Sequence, residues 1–175
     1  MTILGCITKY KADDIRPYVE SIEQTGFKGR KVMLVYEVPK ETIDYLKSKG
    51  WDLYGGELQQ HIILQRFRDL YKLLGSEIKG TVIWTDVKDV IFQKDPTEWI
   101  DHNMEDDILS FSECIKFKDD PWACVNAGTS FPMEWEWLQN KTSYCAGTIV
   151  GDSDYLKDLF INIYRWSMTL SLIHI

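Results

Sequence analysis

Apolar runs alternate with helical patterns along the first half of this chain. Three short runs are almost continuously apolar, as in strands that a sheet buries on both faces: TILGCIT (2–8), KVMLVYEV (31–38) and WDLYG (51–55). Between and after them, apolar residues recur at helical spacing in residues 12–26, 40–50 and 59–75. The predicted core stripes are Ile15, Tyr18, Val19 and Ile22 in the first helix and Ile63, Phe67, Leu70 and Leu74 in the third. This order predicts an α/β fold with a Rossmann-like, mostly parallel central sheet flanked by helices.

A fourth apolar run is interrupted by two carboxylates. In VIWTDVKDVIF (82–92), Asp86 and Asp89 follow the apolar segment, and an apolar segment then resumes. A turn is one explanation, since Asp adopts turn conformations readily. A cation site is the other, because open α/β sheets bind ligands at the carboxyl ends of their strands, and Mg²⁺ or Mn²⁺ combines one or two carboxylates with substrate phosphates.

The pattern loosens after Pro96. Two further strands are predicted at DDILSFSEC (106–114) and YCAGTIVGD (144–152), and a last helix at residues 153–168. Residues 115–144, rich in Trp and Pro, predict a long loop, which in a compact domain is usually functional. The apolar ending LSLIHI (170–175) predicts a chain that is truncated at this end and that buries it in a homodimer.

Composition and charge narrow the class of protein. A chain of 175 residues with 45% hydrophobic content suits one globular domain. The net charge of -7 and the scattered basic residues argue against nucleic acid as a partner. The first apolar run is too short for a signal peptide or a membrane span, which favours a cytoplasmic protein. The four cysteines have no C-x-x-C spacing and are expected to be reduced, buried thiols.

The carboxylate segment also resembles a known family. GTVIWTDVKDVIFQKDP (80–96) is similar to the metal-binding segment of glycosyltransferases with the GT-A fold, and ILGCITKY (3–10), QRFRDLYKLL (65–74) and YCAGTIVGD resemble other parts of that fold. The resemblance implies a metal-dependent transferase that moves a sugar from a nucleotide-diphosphate donor, a UDP- or GDP-sugar, to a glycan or another hydroxyl acceptor. Residues 1–100 would then bind nucleotide and metal, and residues 101–175 the acceptor.

Site residues follow from their positions within this resemblance. Asp86 and Asp89 are the predicted ligands of Mn²⁺ or Mg²⁺. Base, ribose or diphosphate contacts are predicted for the strand ends and the third helix: Thr8, Lys9, Tyr10, Glu37, Arg66 and Asp86. The competing interpretations are an ordinary strand-to-helix turn for residues 8–10, a solvated strand end for Glu37 and a surface salt bridge for Arg66.

The catalytic base has several candidates. Asp152 and Asp120 are the predicted catalytic residues, with Asp119 and Glu113 as further carboxylates, and the sequence does not choose among them or between inversion and retention. Three departures from the family pattern are visible. In the strand at 144–152, Ala146 stands where related enzymes often carry Asn before the Gly. The spacing is Asp-x-x-Asp instead of Asp-x-Asp, and a further metal ligand beyond the last helix is represented only by His174.

Three other functions compete. VGDSDYLKD resembles a motif of haloacid-dehalogenase-type phosphatases, but Lys88 stands where that family has its second acid. A sugar nucleotidyltransferase needs a Gly-rich loop after its first strand to bind triphosphate, and ITKYKADD contains no Gly. A non-catalytic or truncated GT-A-like domain that binds nucleotide or glycan stays open.

Overall fold

A computed structural model describes residues 1–169 of the chain as one sheet with helices on both faces. The strands are β1 (Thr2–Thr8), β2 (Arg30–Tyr36), β3 (Asp52–Gly56), β4 (Thr81–Thr85), β5 (Ile108–Lys116) and β6 (Thr142–Asp152). The helices are α1 (Ala12–Thr25), α2 (Lys40–Ser48), α3 (Ile62–Ser76), α4 (Thr97–Asn103), α5 (Pro121–Ser130), α6 (Trp135–Leu138) and α7 (Ser153–Thr169).

The six strands form a mixed sheet in the order β3-β2-β1-β4-β6-β5. The four strands from β1 to β4 are parallel, and β6 runs antiparallel to both of its neighbours. The prediction of a mostly parallel central sheet flanked by helices is therefore confirmed. The chain moves outward from β1 to β3, returns through α3, and places β4 on the other side of β1.

Each face of the sheet buries its own apolar core. One core joins β1 and β4 to α1, α2 and α4, and the other joins the opposite faces of these strands to α3 and α7. Coverage on both faces explains why the parallel strands read as continuous apolar runs. The predicted core stripe of α3 is wrong at Ile63, whose side chain is 42% exposed, whereas Leu64 and Leu73 are buried.

Residues 115–144 are more regular than the predicted long loop. They contain α5, α6 and a short 3₁₀ turn at Phe117–Asp119. Helix α5 begins at Pro121, and the carboxylate of Asp120 accepts hydrogen bonds from the amides of Trp122 and Ala123. An N-cap Asp followed by Pro is a strong helix start, so the Pro that suggested a loop opens a helix.

The four cysteines are free thiols, as expected. The prediction that they are buried is wrong: Cys6, Cys124 and Cys145 are half-buried, and Cys114 is exposed on the edge strand β5 with a positive φ of 56°. Within residues 1–169, none of the helices combines the length and the apolar character that a membrane-spanning segment needs. The predictions for the ending 170–175, including His174, lie outside the described residues.

Candidate functional site

A crevice opens between β1 and β4 at the carboxyl edge of the parallel strands. Strand β1 pairs with β2 along its whole length, but with β4 only from Thr2 to Leu4. The chain runs from β1 to β2 on one side of β1 and later adds β4 on its other side. The gap between β1 and β4 is therefore the topological switch point, where α/β sheets bind ligands. The crevice is a pocket of about 520 Å³, and its lining is Cys6, Ile7, Thr8, Tyr10, Ile62, Ile63, Arg66, Asp86, Val87, Lys88 and Asp89.

Arg66 reaches this pocket from α3 and meets the first carboxylate. Its Nη1 donates to Oδ1 of Asp86 at 3.3 Å, and its guanidinium carbon lies 4.9 Å from the ring centroid of Phe67 and 5.6 Å from that of Trp84. The side chain is only 20% exposed, and its buried Nε has no hydrogen-bond partner in the described part of the chain. The two rings therefore hold the guanidinium in place, and its positive charge suits an anionic ligand.

The position of Asp86 is set by β6 as well as by Arg66. Its backbone amide donates to the carbonyl oxygen of Gly147 at 2.7 Å. A Cβ atom added to Gly147 would lie 2.6 Å from Oδ2 of Asp86, closer than real contacts allow. Glycine at this position therefore leaves room for the carboxylate beside the strand.

The second carboxylate, Asp89, lies on the exposed part of the pocket wall near Tyr10. Burial raises the pKa of Tyr10, and the negative charges of Asp86 and Asp89 raise it further. The ammonium of Lys88 lies 5.8 Å from the centroid of the same ring. Two carboxylates, two cations and an aromatic ring thus line one pocket, together with apolar side chains.

This donor set fits a divalent cation that the substrate helps to coordinate. Asp86 uses Oδ1 for Arg66, whereas no side chain within residues 1–169 competes for the oxygens of Asp89 through a hydrogen bond or ion pair. Across the described residues, no three His, Cys, Asp or Glu side chains come together as a ready-made metal cage. One or two carboxylates supplemented by phosphate oxygens and water is the usual arrangement for Mg²⁺, so the two aspartates are compatible with it.

Lys9 and Glu37, two of the predicted nucleotide contacts, do not line the pocket. They follow β1 and β2 with positive φ angles of 58° and 51°, and their side chains form an exposed ion pair of 3.3 Å. The backbone amide of Lys9 donates to the carbonyl oxygen of Tyr36 at 3.2 Å. Their contact with a nucleotide stays a prediction, whereas Thr8, Tyr10, Arg66 and Asp86 share the pocket.

The two predicted catalytic aspartates lie apart from this pocket. Asp152 pairs with Thr81 at the start of β4, at the opposite edge of the sheet from Asp86, and it accepts from the amide of Asp154 at 2.9 Å. Asp120 caps α5 and lines a second pocket of about 430 Å³ with Glu113, Trp122, Asn126 and Tyr144, among other residues. Their catalytic roles stay predictions, and neither carboxylate touches the crevice.

Several lining residues were not predicted from the sequence. Lys88 lies between the two aspartates, and Ile62 and Ile63 begin α3 at the pocket edge. Cys6 is the remaining polar group of the wall, and burial raises its pKa to about 12 against the opposing charge of Arg66. Cys6 lies just before a strand end, and the two isoleucines lie at a helix start. Such positions are the only signal in the sequence, and they do not distinguish a pocket-lining residue from a core residue.

The chain has no match among protein-family models or among curated protein sequences. Its fold, however, matches solved structures. Galactosyltransferase LgtC, solved in complex with donor and acceptor sugar analogs, aligns with a TM-score of 0.66 at 14% identity, over 100% of this chain and 66% of that chain. Glycosyltransferase GlyE from Streptococcus pneumoniae TIGR4 aligns with a TM-score of 0.55 at 14% identity, over 94% of this chain and 38% of that chain.

The chain therefore spans about two thirds of LgtC and under half of GlyE. At this identity the likeness concerns the fold alone. The protein has the GT-A-like fold of glycosyltransferases.

Proposed function

We propose that this protein is a glycosyltransferase that uses a nucleotide-diphosphate sugar and a divalent cation. The observation that supports the proposal is the convergence of Arg66, Asp86 and Asp89 on one pocket at the switch point of the sheet. The likeness of the fold to LgtC and GlyE agrees with it. A UDP- or GDP-sugar is the donor class that this pocket of charged and apolar side chains would accept.

In this proposal, each residue of the crevice has a separate task. Asp86 and Asp89 would hold Mn²⁺ or Mg²⁺, which when bound supplies positive charge for the departing diphosphate. Arg66 keeps Asp86 oriented through Nη1, and the exposed part of its guanidinium would donate to a phosphate oxygen. The half-buried ring of Tyr10 offers an apolar surface for the base or ribose.

The acceptor would enter from the second pocket. Ala146 lines that pocket, and the next residue, Gly147, contacts Asp86, so the two pockets lie on either side of one short stretch of β6. The second pocket offers the carboxylates of Glu113 and Asp120 as candidate bases and the rings of Trp122 and Tyr144 as sugar platforms. Asp120 already accepts two backbone amides as a helix cap. Glu113 has the thiol of Cys145 as its partner, and burial and then this hydrogen bond raise the pKa of Cys145.

The proposal is tested with Asp86→Asn and Asp89→Asn. Thermal melts are recorded with and without Mn²⁺ and UDP or GDP, because a ligand that binds only the native state raises the melting temperature. At a nucleotide concentration of 100 times its Kd, the wild type gains about 2.7 kcal/mol of unfolding free energy. Each variant should stay folded and lose this gain.

The matched control is Asp44→Asn, which removes an exposed carboxylate paired with Lys40 on α2. It should retain the full nucleotide shift. Hydrolysis of UDP- and GDP-sugars with and without Mn²⁺ then separates an enzyme from a binding domain. Nucleotide binding without sugar release would favour the non-catalytic alternative, and unchanged shifts in both aspartate variants would place the site elsewhere.

A further inference from the structure

Helix α1 forms hydrogen bonds to the residues on both sides of the loop that carries the two aspartates. This loop, residues 86–91, is called the carboxylate loop below. Immediately before it, the hydroxyl of Thr85 is hydrogen-bonded to the hydroxyl of Tyr18 at 2.7 Å in the protein interior. Immediately after it, the backbone amide of Phe92 donates to Oγ of Ser21 at 3.1 Å. Tyr18 and Ser21 are three residues apart on α1, so they lie on one face of the helix.

The two α1 residues that form these hydrogen bonds are buried, and they also contact each other. Tyr18 is 1% exposed and Ser21 6% exposed. The hydroxyl of Ser21 donates to the carbonyl oxygen of Tyr18 at 2.8 Å, which leaves its oxygen directed to accept from Phe92. The rings of Tyr18 and Phe92 meet edge to face with centroids 5.9 Å apart. Neither Tyr18 nor Ser21 lines the crevice.

A third contact holds the loop in its middle. Val87 is 3% exposed and packs over Gly5 of β1, where an added Cβ would lie 2.7 Å from Cγ2 of Val87. The carboxylates on either side of Val87 remain accessible, since Asp89 is exposed and Asp86 is 45% exposed. The backbone of the loop is thus attached to the core while its charged side chains face the pocket.

We propose that Tyr18 and Ser21 are positioning residues for the carboxylate loop, and that they preset Asp86 and Asp89 for the cation and the diphosphate. Two like charges on one short loop repel each other, so a loop that is not held would spread them apart. Holding the loop before the ligand arrives removes part of the ordering entropy that binding would otherwise cost. The ligand part of this proposal rests on the proposed function.

The first measurement needs no ligand. Hydrogen exchange of peptides covering residues 86–92 is compared between wild type, Tyr18→Phe and Ser21→Ala. Each variant removes one hydroxyl and keeps the local shape, so exchange in the loop should become roughly tenfold faster, as expected for the loss of one buried hydrogen bond. Exchange in β1 and β2 should change little.

The second measurement is the affinity for UDP in the presence of Mn²⁺. Loss of a partner that orients metal ligands typically weakens binding by 10- to 100-fold, so each variant should bind about tenfold more weakly and the double variant more weakly still. Tyr36→Phe is the control, because it removes a partly buried hydroxyl bond, to Asp69 at 2.8 Å, from a tyrosine that does not touch the loop. Ser48→Ala removes the same kind of bond within a helix, to the carbonyl of Tyr45, without a loop contact.

The positioning role is overturned if loop exchange in Tyr18→Phe and Ser21→Ala equals that in the two controls, or if exchange rises equally over the whole sheet. It is also overturned if the loop loosens while UDP binding stays at the wild-type level. A wild-type protein that binds neither UDP nor GDP contradicts the proposed function instead, and the exchange result then decides separately whether α1 holds the loop.

Discussion

The parallel half of the molecule and its antiparallel edge are built differently. In the half formed by β1 to β4, the strands β1, β2 and β4 bury side chains on both faces, and Trp84 is fully inaccessible. In the region of β5, α5 and α6, large apolar side chains remain exposed, with Trp122 at 67%, Trp137 at 65% and Met133 at 91%. The first region is stabilised by two cores, whereas the second presents much of its apolar surface outward.

This difference determines how well the surroundings of each predicted site residue could be inferred from the sequence. A side chain at the end of a doubly covered strand has a fixed neighbourhood, and Asp86 is therefore bounded by Arg66 and Gly147. A side chain on a half-exposed edge has fewer contacts. A carboxylate there, such as Asp120, is therefore as suitable for capping a helix as for catalysis. Exposed aromatics in the second region are also typical of surfaces that bind a partner or a sugar.

The largest expected difference is in stability. Trp84→Ala should lower the free energy of unfolding by about 3–5 kcal/mol, because it leaves a cavity between β4 and α7. Trp122→Ala removes the same side chain from the surface and should change it by at most about 0.5 kcal/mol. Urea unfolding of the two variants measures both values. Similar losses would show that the antiparallel region is as tightly packed as the parallel half.

A smaller effect is expected for diphosphate binding. Arg66→Ala should weaken UDP binding in Mn²⁺ by roughly 1.5–3 kcal/mol, the size of a charge-assisted hydrogen bond, and should weaken uridine binding much less. Arg68→Ala is the matched control, since Arg68 pairs with Asp69 and does not line the crevice. Calorimetric titrations with UDP and uridine measure the losses. Equal losses for both ligands would contradict a phosphate role for Arg66.

The smallest effect concerns the point where the two regions touch. Gly147→Ala should displace the carboxylate of Asp86 and weaken Mn²⁺-dependent UDP binding about tenfold. Gly128→Ala is the control in α5, where the new Cβ would lie at an ordinary 3.6 Å from Trp135. That change should leave binding alone and stabilise the helix by up to about 1 kcal/mol. Wild-type UDP affinity in Gly147→Ala would show that β6 does not constrain Asp86.

Periodicity and turn chemistry were sufficient for the main elements. Continuous apolar runs predicted β1 and β4 because both faces of these strands are covered, and helical spacing with Gly26 at its end predicted α1. The same reasoning was wrong for residues 115–144, where Pro121 starts a helix and does not break one. It was also wrong for Ile63, because spacing alone does not tell the core side of α3 from the pocket edge.

For the site, the sequence supplied the chemistry, since carboxylates after a buried strand and an Arg on the preceding helix are local features. It did not supply the contacts between distant segments. Tyr18 matched a core position in the helical pattern, but only the tertiary structure pairs its hydroxyl with Thr85, 67 residues away in the chain. The same holds for Gly147 beside Asp86 and for Asp152 at the opposite sheet edge. Such placements depend on strand order and register, which local patterns of hydrophobicity do not encode uniquely.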